Sequence, residues 1–330
     1  MHKEFPSEFS SVPPDVIGTV SSDPFLSKLS HVDNVARVSG GVAHHVYQIT
    51  SDGRRYYLKI RGNTFAQIPE ISCDPDDIVN EYDALILFGT ISPENFPRVL
   101  SFNTDKSYLV LSDAIPDGEL LEKLFLEGKV TPDIMLCLGA SLKKIHSMSY
   151  YSHDSDLRSG GDTAHYEKKL RDRFGYRHNP VLDEMIDDLR REKRQLILGD
   201  VAPKNVGVNN KGDLFIFFDL EDAHRGNAIF DYGYLIGHIL LHTFTSPEDA
   251  IEDIKAFCKG YSSDQFDEET VRKIALGIML YRLGSIVPYQ TNLTSDQKLA
   301  VQRRVEGVLS KELVLRPWAE IVSVLKYGEN

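Results

Sequence analysis

The chain has 330 residues, 42% of them apolar, with a formal net charge of −12 and a pI near 5.4; that is enough length for two domains or one two-lobed unit. Such acidity repels nucleic-acid backbones and anionic membrane surfaces unless a basic patch intervenes, so neither is an expected partner, while a cationic small molecule is compatible with it. Three scattered cysteines, Cys73, Cys137 and Cys258, argue against a disulfide framework and a Cys-ligated zinc site and point to a reducing compartment.

Residues 1–30 carry four prolines and no long apolar run. They read as an amino-terminal arm, extended or briefly helical, with neither a secretion signal nor a membrane span, and a cytoplasmic location is the expectation. Residues 31–111 are strand-rich. Val46 to Ile49 and Tyr56 to Ile60 are short β-type runs around Ser51-Asp52-Gly53, a hairpin turn. One helix interrupts this antiparallel sheet: Asp74-Pro75 supplies an N-cap and a first-turn proline, and Ile78, Leu85 and Phe88 recur at helical spacing. Glu81 falls on or beside the inward face of that helix, where a carboxylate needs a partner. Tyr108 to Leu111 is an apolar strand, and residues 112–118, with proline and glycine, read as a hinge.

From 119 to 330 the pattern is mainly helical. Thr131-Pro132 opens a helix with Ile134, Leu138, Leu142 and Ile145 as its apolar stripe, and further helices are expected near 232–243, 247–260, 267–283 and 295–325. The fold class is therefore α+β, an antiparallel sheet followed by a helical domain.

The chemistry concentrates between Gln195 and Asp219. Gln195 to Leu198 reads as a short buried strand ending in Gly199-Asp200, and Asn205 follows five residues after the aspartate. Val206 to Val208, the turn Asn209-Asn210-Lys211-Gly212, and Leu214 to Phe218 form a hairpin, with Asn205 entering and Asp219 leaving it. Antiparallel pairing returns both side chains to one open end, beside Asp200. Three oxygen-bearing groups then converge, which suits a hard cation such as Mg2+ and leaves a carboxylate for an attacking hydroxyl. Spacing alone proves little, because Asp222 and Asn227 repeat the same separation with no strand before them and no hairpin after.

Gly199-Asp200-Val201-Ala202-Pro203-Lys204-Asn205-Val206 resembles the catalytic loop of the aminoglycoside phosphotransferase and choline kinase superfamily. Phe218 to Ala223 resembles that superfamily's metal-binding segment, and Gly226 through Asp231-Tyr232-Gly233 to His242 its following glycine-aspartate stretch and helix. The resemblance implies a bilobal protein-kinase-like fold with a β-rich nucleotide-binding lobe, and ATP with Mg2+ in the cleft. It further implies transfer of the γ-phosphate to a hydroxyl of an aminoglycoside, amino alcohol or sugar. Asp200 would orient the acceptor hydroxyl or take its proton, and Asn205 and Asp219 would hold the metal. Lys59 would contact the α- and β-phosphates, with Glu81 as its ion-pair partner. Val38 to Val46, containing Gly40 and Gly41, would cover the phosphates, and backbone groups of Ser112 and Ala114 would meet the adenine edge. Asp231 would tie down the catalytic loop.

One departure is that Leu198 stands where the superfamily usually has a histidine that braces the loop. It motivates an alternative, a nucleotide-binding regulator without turnover. A Ser/Thr protein kinase is disfavoured, because no glycine follows Asp219 and no Ala-Pro-Glu closes an activation segment. His44 and His45 fall in the phosphate-covering turn. Glu221 and Asp222 are readable as a cation-receiving or second-metal pair, or simply as an acidic loop. His238 and His242, four apart on a helix, have metal-ligand spacing, but their leucine and isoleucine neighbours favour packing.

Overall fold

In the computed structural model of the chain, residues 12–38, 41–150, 167, 170–175, 178–191, 195–262, 266–285, 289–310 and 312–328 are described. They fall into two compact units, Met1–Pro116 and Asp117–Asn330. No helix among the described residues is long and apolar enough to cross a membrane.

The first unit is a five-stranded antiparallel sheet with one helix inserted. Its strands are β1 (Asn34–Arg37), β2 (His44–Ser51), β3 (Arg54–Arg61), β4 (Val99–Asn103) and β5 (Tyr108–Ser112), in the order β1-β2-β3-β5-β4. Asp52 and Gly53 both take positive φ, 47° and 71°, the left-handed pair whose twist matches a two-residue hairpin. The register sets Lys59 of β3 opposite Val46 and Leu109. Helix α1 (Pro14–Ser22) lies in the segment read as an arm and packs into the core: Val16, Val20 and Leu26 cluster with Ile49, Leu58 and Val110. Asp23 fixes this lead-in by accepting from the Leu26 amide at 2.8 Å and from the Tyr108 hydroxyl at 2.9 Å. Asp74 does act as a cap, but of a single 3-10 turn, Pro75–Asp77; helix α2 itself runs Ile78–Ile91. Its Ile78, Glu81, Leu85 and Phe88 are buried, the face the spacing indicated.

In the second unit come β6 (Gly118–Leu120), α3 (Leu121–Leu126), α4 (Pro132–Tyr150), α5 (Pro180–Arg191), β7 (Gln195–Ile197), β8 (Val206–Asn209), β9 (Phe215–Phe217) and β10 (His224–Gly226). Helices α6 (Ile229–His242), α7 (Pro247–Tyr261), α8 (Glu268–Gly284), α9 (Ser295–Ser310) and α10 (Trp318–Tyr327) complete it. The expected hairpin is β8–β9, and β6 adds a third strand to it, so the end of the segment read as a hinge is sheet. A separate pair, β7–β10, sets His224 opposite Ile197. The helix expected over 295–325 is two helices parted by a 3-10 turn, Glu312–Leu315, and Pro317, which cannot sit inside a continuous helix, stands at the N-cap of the second. On α4 the buried stripe runs through Met135, Leu138, Leu142 and Ile145; Ile134 is only half-buried and sits under Gly212.

Candidate active site

In the first unit the predicted Lys59–Glu81 pair is formed. The ammonium donates to both carboxylate oxygens, at 2.6 and 2.7 Å, with Glu81 fully buried and Lys59 nearly so. Taking two charges out of water is expensive, and losing one partner strands the other, so such a pair marks a site more than a source of stability. Arg61 fastens the approach to α2 by donating from Nε to the Asp74 carbonyl at 2.8 Å and from Nη2 to Asp77 at 2.9 Å. Its Nη1 lies 3.3 Å from Nε2 of buried His44, which is 3.9 Å from Glu81. Gly41 stands where a Cβ would come within 2.8 Å of the His44 carbonyl oxygen, so the turn closes only over a residue with no side chain. Arg37, Val38, Gly41, His44 and Gln67 line a cavity of about 290 Å³ there. Gly40 lies outside the described residues. Ser112 ends β5, its amide donating to the Arg98 carbonyl at 2.9 Å, and Ala114 follows Asp113, which is held by Arg55 Nε at 2.6 Å.

The second unit assembles Asp200, Asn205 and Asp219. Strand β7 delivers the chain to Gly199, whose φ of +79° and lack of a Cβ, which would fall 2.0 Å from the Asp222 carbonyl oxygen, make it a glycine-only position. Both preceding amides are held by buried Asp231: the Leu198 N–H at 2.7 Å and the Gly199 N–H at 2.9 Å. His146 Nε2 donates to the same carboxylate at 3.1 Å, so its Nδ1 accepts from the Tyr261 hydroxyl at 2.8 Å. Leu198 itself points into the core. Pairing of Val206 with Phe217 places Asn205 beside Phe218, whose amide donates to the Asn205 carbonyl at 3.1 Å. Asp219 comes next, in the left-handed region at φ 63°, a conformation that costs a non-glycine residue about 1 kcal/mol or more and clusters at functional sites. The Asn205 side-chain amide donates to the Asp200 carbonyl at 3.0 Å, which leaves its Oδ1 as the oxygen donor. One carboxylate and one amide oxygen at the same end of a hairpin are ligands of the kind Mg2+ takes.

Two residues that sequence reasoning missed reach Asp200. The Tyr234 hydroxyl donates to its Oδ1 at 2.5 Å and Arg282 Nη2 to the same atom at 2.8 Å, while Arg282 Nη2 also lies 2.5 Å from the Tyr234 oxygen. Burial pushes Tyr234 well above the usual phenol range even with Arg282 against it, so it stays a donor. Both carried a faint signal: Tyr234 is one turn beyond Asp231 on α6, and Arg282 is a lone cation in the apolar run Ile278 to Leu283. The other acidic candidate is otherwise engaged, since Asp222 is ion-paired with buried Arg173 at 2.5 Å. Asn227 leads into α6, accepting from the Ile229 amide at 3.0 Å.

His238 and His242 belong to a buried hydrogen-bond chain. Arg282 Nε donates to His238 Nε2 at 3.4 Å, and the Tyr289 hydroxyl bridges His238 Nδ1 at 2.7 Å and His242 Nε2 at 2.8 Å. Burial, reinforced by Arg282 and His242, holds His238 well below the ordinary imidazole range, and burial lowers His242 to about 4. Above about pH 6.5 His242 is neutral in folded and unfolded chains alike; between 6.5 and 4 only the unfolded chain takes the proton. Stability is therefore expected to fall by about 3 kcal/mol across that window on account of His242. Urea midpoints measured from pH 7.5 to 4 check this: His242→Gln should flatten the acid limb, and an unchanged slope would refute the assignment.

Residues 34–274 match the profile of the phosphotransferase enzyme family. No curated protein sequence matches the chain. Among solved structures, a choline/ethanolamine kinase family protein from Mesorhizobium loti aligns with a TM-score of 0.58 at 14% identity, covering 95% of this chain and 99% of that one. Choline kinase LicA from Streptococcus pneumoniae aligns at 0.56 and 15%, covering 90% and 98%. The GDP and kanamycin complex of APH(2")-IIia aligns at 0.55 and 13%, covering 94% and 98%. At such identities the likeness establishes the fold, which is the kinase-like α+β architecture. With the family profile spanning well over half of its length, the chain belongs to the phosphotransferase enzyme family.

Proposed function

We propose that this phosphotransferase uses ATP with Mg2+ and passes the γ-phosphate to a hydroxyl of a small molecule of the aminoglycoside, amino-alcohol or sugar type. The observation that supports the reading is that Asn205 and Asp219 flank the open end of the β8–β9 hairpin, with the Asn205 side chain hydrogen-bonded to the Asp200 carbonyl. In this reading Asn205 and Asp219 hold the ion, and Asp200 orients the acceptor hydroxyl and takes its proton. The bound ion neutralises charge on the phosphates. Lys59, kept in place by Glu81, meets the α- and β-phosphates, the turn at Gly41 covers them, and the backbone of Ser112 and Ala114 receives the adenine. A cytoplasmic setting accords with three cysteines, none of them in a disulfide.

Leu198 favours a second reading, a nucleotide-binding regulator that does not turn over. One experiment separates the two: thermal-shift titration with ATP and Mg2+, followed by ADP release over a panel of choline, ethanolamine, aminoglycosides, methylthioribose and homoserine. Stabilisation by nucleotide together with ADP release on at least one acceptor is expected. Stabilisation with no release across the panel would favour the regulator. Asp219→Ala should abolish the magnesium-dependent part of the shift, and a full shift in that variant would remove Asp219 from the metal site.

A further inference from the structure

We propose that Arg282 and Tyr234 are positioning residues for Asp200, gripping one carboxylate oxygen so that the other is presented to the acceptor hydroxyl. The proposal rests on the phosphotransfer reading above and concerns the same site. An aspartate side chain turns freely about its last torsion, which is broad and nearly two-fold. A carboxylate that must meet a hydroxyl in one orientation therefore needs to be held. The residue two positions upstream, Leu198, is buried and apolar, with no side-chain hydrogen bond to give.

The grip comes instead from helices α6 and α8. Tyr234 and Arg282 donate to the same atom, Oδ1, and touch each other, so the three groups form a closed triangle with edges of 2.5, 2.8 and 2.5 Å. Among the described residues, Oδ2 accepts no hydrogen bond, and the Asp200 side chain retains 15% exposure. The two oxygens thus differ: one is spent on the protein and the other is left for a ligand.

Arg282 can serve as a fixed point because it is itself immobilised. Its guanidinium carbon lies 5.6, 5.1 and 4.9 Å from the ring centres of Tyr234, Tyr281 and Tyr289. Its Nε is held by His238, which Tyr289 ties to His242. A long cation normally gives up much rotamer freedom when it makes a hydrogen bond, and here that freedom is already gone in the folded chain. Donors set in place beforehand need not reorganise during the reaction.

The test compares wild type with Arg282→Ala, Tyr234→Phe and the double variant. It measures ADP release from MgATP with water as acceptor and with whichever panel alcohol is phosphorylated. Arg282→Ala should lower kcat about 10- to 100-fold, the worth of a hydrogen bond to a charged group, with KM for MgATP within about twofold. Guanidinium ion at a low, non-denaturing concentration should restore part of the loss, which a purely structural defect would not show. Tyr234→Phe keeps the ring packing and should lower kcat by a smaller factor. It also keeps the test open if Arg282→Ala does not fold. The double variant should lose less than the product of the single losses, because both groups share one oxygen. Wild-type kcat in Arg282→Ala or Tyr234→Phe would overturn the proposal, as would a loss confined to KM or one indifferent to guanidinium. Absence of turnover in the wild type would instead sink the phosphotransfer reading and this proposal with it, a failure visible before any substitution is made.

Discussion

Asp200→Asn is expected to lower kcat on an identified acceptor by a factor on the order of 10² to 10⁴, the range that a positioned proton acceptor contributes. The asparagine is the informative substitution because of what surrounds the aspartate. Its Oδ1 would still accept from Tyr234 and Arg282, so folding should survive while the negative charge proposed to draw the hydroxyl proton is gone. Asp200→Ala removes the same chemistry and also strands buried Arg282 without its carboxylate, which costs about 3 kcal/mol or more. Both variants should thus be inactive, and the alanine variant the less stable of the two, because asparagine still offers Arg282 an acceptor oxygen though no counter-charge. Nucleotide affinity should change little in either, since phosphate contacts are assigned to other residues. The measurement is steady-state turnover beside MgATP titration by thermal shift. Undiminished turnover in Asp200→Asn would remove Asp200 from its role.

What sequence revealed of this site, and what it hid, follows the range of each signal. The β8–β9 hairpin, the strand before Asp200 and the inward carboxylate of Glu81 were legible because each rests on local pattern, alternation, a polar turn or helical spacing, whereas Lys59 as the partner of Glu81 came from the family resemblance. Arg282 was not legible, because it sits 82 positions from Asp200 and nothing in a helical spacing says which distant loop a buried cation will face. The same holds for Arg173, which neutralises Asp222 from a segment with no motif of its own. Strand β10, the partner of β7, and the third strand β6 went unseen because three residues with no turn motif beside them are too few to show a period. Helix α1 was one of two forms read for the lead-in, but its seat was hidden by composition: serine and proline suggested an arm, and Val16, Val20 and Leu26 supply enough apolar surface to place the segment on the sheet. His238 and His242 had the right spacing for a metal, and tertiary context gave them Tyr289 instead.

Asp231→Ala should be among the most destabilising single changes in the second unit. The carboxylate accepts from two peptide amides and one imidazole, and both it and His146 are almost wholly buried. Removing it leaves the Leu198 and Gly199 amides with no acceptor in a place water does not reach, and each orphaned amide costs about 1–3 kcal/mol. A loss of roughly 3–5 kcal/mol is expected, a large part of the roughly 5–15 kcal/mol that holds a typical domain together. Asp231→Asn retains one acceptor oxygen but turns an NH2 group toward donors, so it should fall between, near 2 kcal/mol. His146→Ala removes one donor and leaves both amides satisfied, and should cost less than either. Urea denaturation of the four proteins checks the order. If Asp231→Ala proved no worse than His146→Ala, the amides of residues 198 and 199 would not depend on that carboxylate. The held amides belong to the two residues immediately before Asp200, so Asp231→Asn should also reduce turnover at temperatures where it remains folded, because the loop that carries the carboxylate proposed to react loses its anchor before the unit loses its fold.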